Sequence, residues 1–418
     1  MTAWNEVSRI VERLKPPTFA ARELIVRDER DFRGTLQAAI ATLSMQGGGK
    51  IVIPPGTYRC AGPIQLASNI HLHLDEAEIL FSTKPTDYLV GDAAVDRLTL
   101  TRWEGTRCFN YSPLIYAYGQ RNIAVTGRGT FDGQAANGWA PFKELQSPTK
   151  QRLRAMGQAV TPVLERRFGE GHYLRPSMFS PYDCQNILLD GITFKASPFW
   201  TIHPIFCDNV IVRNCTVLPG TTNDDGCDPE SCRDVLIEKC TFSTADDNIA
   251  LKAGRDQDAW ASAGGRPCEN IVIRDCMFLQ GRPGGISIGS EMSGGIRNVF
   301  IERCTFKDAA RVLYLKASPH RGGILENIFA RDLTIDACEE ILYCKMAYKF
   351  VIEGDYPSVF RNIELADVRC QRADTAVRLI GLDRQPIGDV RVSNVQVTDC
   401  KRFVEQRAVT SLIVDGKK

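Results

Sequence analysis

Through the second half of the chain the apolar residues recur in a fixed phrase. QNILLDGITF, DNVIVRNCTV, RDVLIEKCTF, ENIVIRDCMF, RNVFIERCTF, ENIFARDLTI, RNIELADVRC and GDVRVSNVQV carry it, anchored on Asn186, Asn209, Asp234, Asn270, Asn298, Asn327, Asn362 and Asp389. The positions one and three after each anchor are nearly always Ile, Leu or Val, as in Ile187 and Leu189, Val210 and Val212, or Ile271 and Ile273. A period of two is a strand's, whereas a helix needs about 3.6. The anchors lie 23 to 36 residues apart. A unit so small buries its apolar face only by stacking on its neighbour, so the pattern predicts an all-β solenoid, a parallel β-helix with one coil per phrase.

The N-terminal part reads differently. Residues 1 to 30 are charged, lack strand periodicity and are expected to form an extension, any short helix there ending at Pro16 and Pro17. Leu36, Ala39, Ile40 and Leu43 then form one face of a helix closed by Gly47 to Gly49, and Ile51 to Ile53 read as a strand. Such a helix suits the open end of a solenoid, whose unpaired edge otherwise invites aggregation. Asn69 and Asn122 anchor early coils. Residues 31–418 are therefore expected to form one β-helix domain, with 134–180 an insertion that walls or lids a cleft. Trp139, Phe142, His172 and Tyr173 in it are candidates either for stacking on sugars or for packing the loop.

Charge narrows the partners. Lys+Arg 51 against Asp+Glu 50 offers no general attraction to nucleic acid or anionic membrane, and no apolar stretch is long enough to span a bilayer. An extended open face suits a polysaccharide instead. The fifteen Cys are an odd number. Cys215, Cys240, Cys276 and Cys304 all stand six residues after an anchor, and Cys184, Cys207, Cys232 and Cys268 two before one. They read as two buried columns of small hydrophobes, with zinc or disulfides as the alternative. So many free thiols, with no signal-type apolar core at the start, favour a cytoplasmic setting; a secreted or periplasmic protein with its leader removed is the other reading. Oligomeric state is not legible.

The chemistry gathers between two neighbouring coils, in TTNDDGCDPESC at 221–232 and STADDNIALKAG at 243–254. Asp225 precedes Asp246 and Asp247 by about one coil, which sets the three on adjacent rungs about 5 Å apart. Like charges so close cannot all ionise, and one carboxyl stays protonated as a general acid while the others serve a nucleophile. Glycoside hydrolysis needs that division. Turn-capping Asp, or calcium held by Asp224, Asp225, Asp228, Asp246 and Asp247, are the competing readings; no cofactor or metal is expected.

At these residues the sequence resembles glycoside hydrolase family 28, the polygalacturonase and rhamnogalacturonan hydrolase family of right-handed parallel β-helices. Asn223-Asp224-Asp225-Gly226, then Asp246-Asp247-Asn248-Ile249-Ala250-Leu251-Lys252, match its signature, and SPFWTIHP at 197–204 and GGISIGSEMSGG at 284–295 look like bacterial members. The resemblance implies an inverting hydrolase of pectic poly- or oligosaccharides, with Asp246 as general acid and Asp225 with Asp247 activating water. Asn223, Asp228, Lys252, Glu291, Tyr314 and Lys316 become candidate substrate-binding residues. Two departures bear on substrate. Pro283 or Gly284 replaces the family's His, and Tyr314-Leu315-Lys316 replaces Arg-Ile-Lys. Without that cationic fork, the sequence predicts a neutral sugar after the cleaved bond, unless Arg175, Arg255 or Arg282 reaches the same carboxylate. A polysaccharide lyase and a silent carbohydrate-binding solenoid are the alternatives.

Overall fold

The computed structural model describes residues 3–28, 30–261, 265–350 and 353–415. One sheet of 22 strands winds through the molecule, and the coils pair in parallel along it. Ile187 pairs with Val210, Val210 with Val235 and Val235 with Ile271, and the column continues through Val299, Ile328 and Ile363 to Val390. All of these are buried. The predicted parallel β-helix is therefore the fold.

The anchors explain where each coil turns. From Asn69 to Asp389, all ten anchors hold φ between 52° and 62°, the left-handed region that Asn and Asp tolerate better than other side chains. Their amides also stack. Asn122 donates to Asn69, Asn186 to Asn122 and Asn209 to Asn186, and a second run links Asn270 to Asp234, Asn298 to Asn270, Asn327 to Asn298 and Asn362 to Asn327. Inside, Phe242, Phe278 and Phe306 stack with centroids 5.6 and 4.5 Å apart. Both cysteine columns are buried and all fifteen thiols are free. Burial pushes Cys227, Cys240, Cys276 and Cys304 up from the ordinary thiol range.

The helix Phe32–Met45 caps the first coil, with Phe32, Leu36, Ile40 and Leu43 buried and Asp31 accepting from Gly34 N–H at its start. Within residues 3–28, the region expected to form an extension, lie a helix and a strand. Helix Asn5–Arg13 lies on the outside of the solenoid and buries Val7 and Ile10, with Leu14, against a stripe formed by Ala124, Leu188, Ile211, Leu236, Val272, Phe300 and Phe329. Glu23–Ile25 then joins the sheet beside Gly49–Ile53. The clue lay in the phrase itself: the outward position two after the anchor is apolar in coil after coil, which a solvated face would not require.

Residues 134–180 contain the helices Phe142–Leu145 and Ser147–Gln158. Trp139 is fully buried against Tyr88, Tyr111 and Phe142, and Phe142 meets Tyr173. These aromatic residues pack the insertion onto its scaffold. A hairpin that the repeat pattern does not announce, Thr99–Trp103 with Thr106–Asn110, stands beside it. No helix among the described residues is long and apolar enough to cross a membrane.

Candidate active site

A third strand column carries the chemistry. Phe179, Ile202, Cys227 and Ile249 are bridged in turn, and Ile249 pairs with Ile286, Ile286 with Leu313 and Leu313 with Leu342. These point into the core, so the residues that follow them lie on the opposite face. That face runs His203, Asp228, Ala250, Ser287, Tyr314, Tyr343 and Arg378. Asp225 comes from the loop entering one rung of this column, Asp246 and Asp247 from the loop entering the next.

Asp224 decides which carboxylates are available. Its side chain accepts from Gly220, Ala245 and Asp246 N–H at 2.8, 3.1 and 3.0 Å, stapling the two loops together. Its neighbours Asp225, Asp246 and Asp247 are left to converge, one oxygen of each lying within 4.8 Å of the others. Asn223 sets the orientation of Asp246. Its Oδ1 accepts from Lys143 Nζ at 2.7 Å and Arg175 Nη2 at 3.0 Å, which turns its amide Nδ2 toward Asp246 at 3.0 Å. Arg175 is itself buried, holding Thr221, the Thr222 carbonyl and the Pro198 carbonyl, so it supports the 220–223 turn.

Two ammonium groups balance the cluster. Lys316 Nζ lies 2.6 Å from Asp247 Oδ2. Lys252 Nζ lies 3.4 Å from Asp225, 3.6 Å from Asp228 and 3.8 Å from Glu291, and 4.0 Å from the centre of the Trp200 ring. Burial opposes charge on Lys252, yet Asp228 and Asp225 raise it well above the ordinary lysine range. Burial, then Asp228 and Asp246, raise Asp225 well above the ordinary carboxyl range. Burial and the adjacent Asp247 raise Asp246 as well. Burial and mutual repulsion thus favour the protonated form at Asp225 and Asp246, which is the condition for a general acid in the cluster.

The other expected residues divide between the pocket and its support. Lys252, Glu291, Lys316 and Asn223 line the pocket with the three Asp. Asp228 does not; it is fully buried beneath Lys252 and pushed up to about 8 by burial, so it faces no sugar and acts through the lysine. Tyr314 lies two rungs beyond the one that Asp246 and Asp247 enter, 4 % exposed and stacked on Tyr343 at 5.3 Å, outside the lining. Arg282 is on the surface with Asp308 and Glu339. Arg255 does line the pocket, paired with Glu291 at 2.7 Å. Burial opposes the charge of Glu291, but Arg255 and Lys252 hold it well below the ordinary range. Glu104, Arg154, Tyr348 and Lys349 complete the wall; they come from a hairpin turn, the helix Ser147–Gln158 and the segment after Lys345, and share no spacing that a sequence could reveal.

One side of this pocket is sealed. Glu230 accepts from Arg102 at 3.3 Å, from Gly254 N–H at 3.1 Å and pairs with His203 at 2.9 Å; Arg102, His203 and Glu230 side chains have no exposure. Trp103 stacks on Phe199 and Phe199 on Trp200. The hairpin therefore plugs the face on the N-terminal side of the Asp cluster. Helix Ser147–Gln158 backs it through Arg154 and Lys150, which reach Glu104. On the C-terminal side the face continues over Tyr314 and Tyr343 to Arg378, and among the described residues no second hairpin of this kind lies over it.

The model for the glycosyl hydrolases family 28 matches residues 167–413. Among solved structures, a hyperthermoactive exopolygalacturonase from Thermotoga maritima superposes with a TM-score of 0.92 at 36 % identity, covering 99 % of this chain and 96 % of that one. A probable polygalacturonase of Vitis vinifera is 26 % identical over 379 residues, 86 % of this chain and 70 % of its own length. An endo-polygalacturonase of Pectobacterium carotovorum is 22 % identical over 401 residues, covering 95 % and 91 %.

Proposed function

We propose that this chain, which belongs to the glycosyl hydrolases family 28 and is a glycoside hydrolase, removes single galacturonate units from the ends of pectic galacturonan. The observation that carries the reading is the position of the three Asp at the blind end of a pocket, closed by the Arg102–Glu230–His203 plug on one side and open along the sheet on the other. A chain enters such a pocket by its end only. The likeness to an exopolygalacturonase supports the same reading. The polygalacturonase relatives favour an anionic sugar over the neutral one predicted from Tyr314.

In this mechanism Asp246 donates its proton to the glycosidic oxygen, since it combines a raised proton affinity with partial exposure and a fixed orientation from Asn223. Asp225 and Asp247 hold and activate the water, their remaining charge balanced by Lys252 and Lys316. Inversion at the anomeric carbon follows from the family resemblance. The oxygens lie closer together than the roughly 6.5–9.5 Å between carboxyl groups common in inverting enzymes; that rule concerns a pair, whereas here a third carboxylate draws acid and base into one cluster. The positive charge at the site comes from side chains, so prolonged chelation should leave turnover unchanged.

The test is product analysis on reducing-end-labelled oligogalacturonates. Monogalacturonate and a ladder shortened by one unit per step are expected. Early release of mid-sized oligomers would overturn end-wise action, and an unsaturated product would replace hydrolysis with elimination.

A further inference from the structure

Beside the reaction pocket lies a second cavity of about 220 Å³, and Arg154, Arg255 and Lys349 form part of the wall between them. Arg321, Asp256 and His320 line this annex alone. The reaction pocket is balanced in charge: Glu104, Asp225, Asp246, Asp247 and Glu291 face Arg154, Lys252, Arg255, Lys316 and Lys349. In the annex, Arg321 meets Asp256, while the shared Arg154 and Arg255 turn their charge to Glu104 and Glu291, which line the reaction pocket and not the annex.

The unspent donors are also there. Arg321 is 5 % exposed and gives Nη1 to Asp256 at 2.6 Å, yet its Nε is buried without a partner, as is the Nε of Arg154. Lys349 is exposed, with its Nζ 5.5 Å from the centre of the Tyr348 ring. A buried guanidinium group with an empty donor is costly unless something fills it. Burial and the neighbouring charge of Arg255 lower Arg321 to about 10, and a bound anion would reverse that pull.

Building on the end-wise reading above, we propose that the annex is the receptor for the carboxylate of the terminal uronate, with Arg321 and Lys349 as specificity-determining residues. Asp246 and Asp247 enter the pocket from loops that precede the strands of the column, whereas Arg255 and Lys349 come from loops that follow them. A sugar presenting its anomeric carbon to the Asp cluster therefore turns its far side to the annex. These residues would serve the sugar before the cleaved bond, whereas the fork missing at Gly284 and Tyr314 concerns the sugar after it. A free carboxylate is drawn in and an esterified one is not.

The experiment compares kcat/KM on trigalacturonate with that on the same trisaccharide methyl-esterified at its non-reducing uronate. The wild type should prefer the free acid by roughly tenfold to a hundredfold, the size of one charge-assisted contact. In Arg321→Gln and in Lys349→Gln that ratio should fall several-fold, mainly through KM for the free acid, and Arg321→Lys should restore part of it. Lys349 is exposed, so its variant remains informative if the Arg321 substitution disturbs folding. Calorimetric binding of galacturonate against galactose reads the same preference without turnover. A ratio and a binding preference unchanged in both variants would overturn the annex as receptor. A wild type that binds galacturonate selectively through these residues yet cleaves neither trisaccharide would keep the receptor and sink the hydrolytic reading instead.

Discussion

The two halves of the face that bears the Asp cluster are successive rungs of one strand column and are put to opposite uses. On the N-terminal half, Glu230 and His203 are covered by Arg102 and a stack of Trp103, Phe199 and Trp200, with no exposure at the ion pairs. On the C-terminal half, Arg378 pairs with Glu340 and Glu405 at 35 % exposure and leans over Tyr343 at 5.1 Å. The contrast teaches that direction of attack is set by what is laid over the solenoid. The coils themselves repeat on both sides.

The largest expected effect falls at the boundary between the halves. Asp246→Asn should lower kcat by about 10²–10⁴, the usual contribution of a positioned acid, with an unchanged fold because the amide fills the same volume. Near-normal turnover in the folded variant, by reducing-sugar release, would remove Asp246 from the mechanism.

Next comes a matched pair of arginines. Arg102→Met leaves Glu230 buried without its main counter-charge and should cost about 3–5 kcal/mol of stability. Arg378→Met breaks exposed pairs and should cost no more than about 1 kcal/mol, while raising KM for longer oligomers. Denaturant unfolding of both variants decides it, and equal losses would mean that the sealed and open halves do not differ as described.

A smaller effect concerns pH. The folded-state value of Asp228, about 8, is above its unfolded value near 3.9. The proton it holds therefore stabilises the fold fully below pH 4, and that contribution is lost as pH rises through about 8. Asp228→Asn, which cannot lose a proton, should show a shallower fall in stability between pH 5 and 8 than the wild type. Parallel curves would mean that Asp228 is already ionised beside Lys252.

Much of this was legible in the chain because a solenoid repeats its local physics. The two-residue period placed Ile187, Val210 and Val235 in one column, and the coil length brought Asp225 to Asp246 and Asp247. What escaped was tertiary. Arg102 and Arg154 belong to no repeat, yet they close the pocket, and nothing near Arg102 in sequence points 128 residues ahead to Glu230. The docking of helix Asn5–Arg13 escaped for the same reason, its partners being spread over seven coils. Tyr314 misled in the other direction, since a family position that faces substrate is here turned into a stack with Tyr343.

The central claim is that three carboxylates share the work of acid and base at the blind end of a pocket. Its most direct test is proton NMR of the first product released from reduced trigalacturonate. The account predicts a single monogalacturonate appearing first as the β anomer, inverted from the α linkage. Monogalacturonate appearing first with retained configuration, or digalacturonate as the initial free sugar, would contradict it.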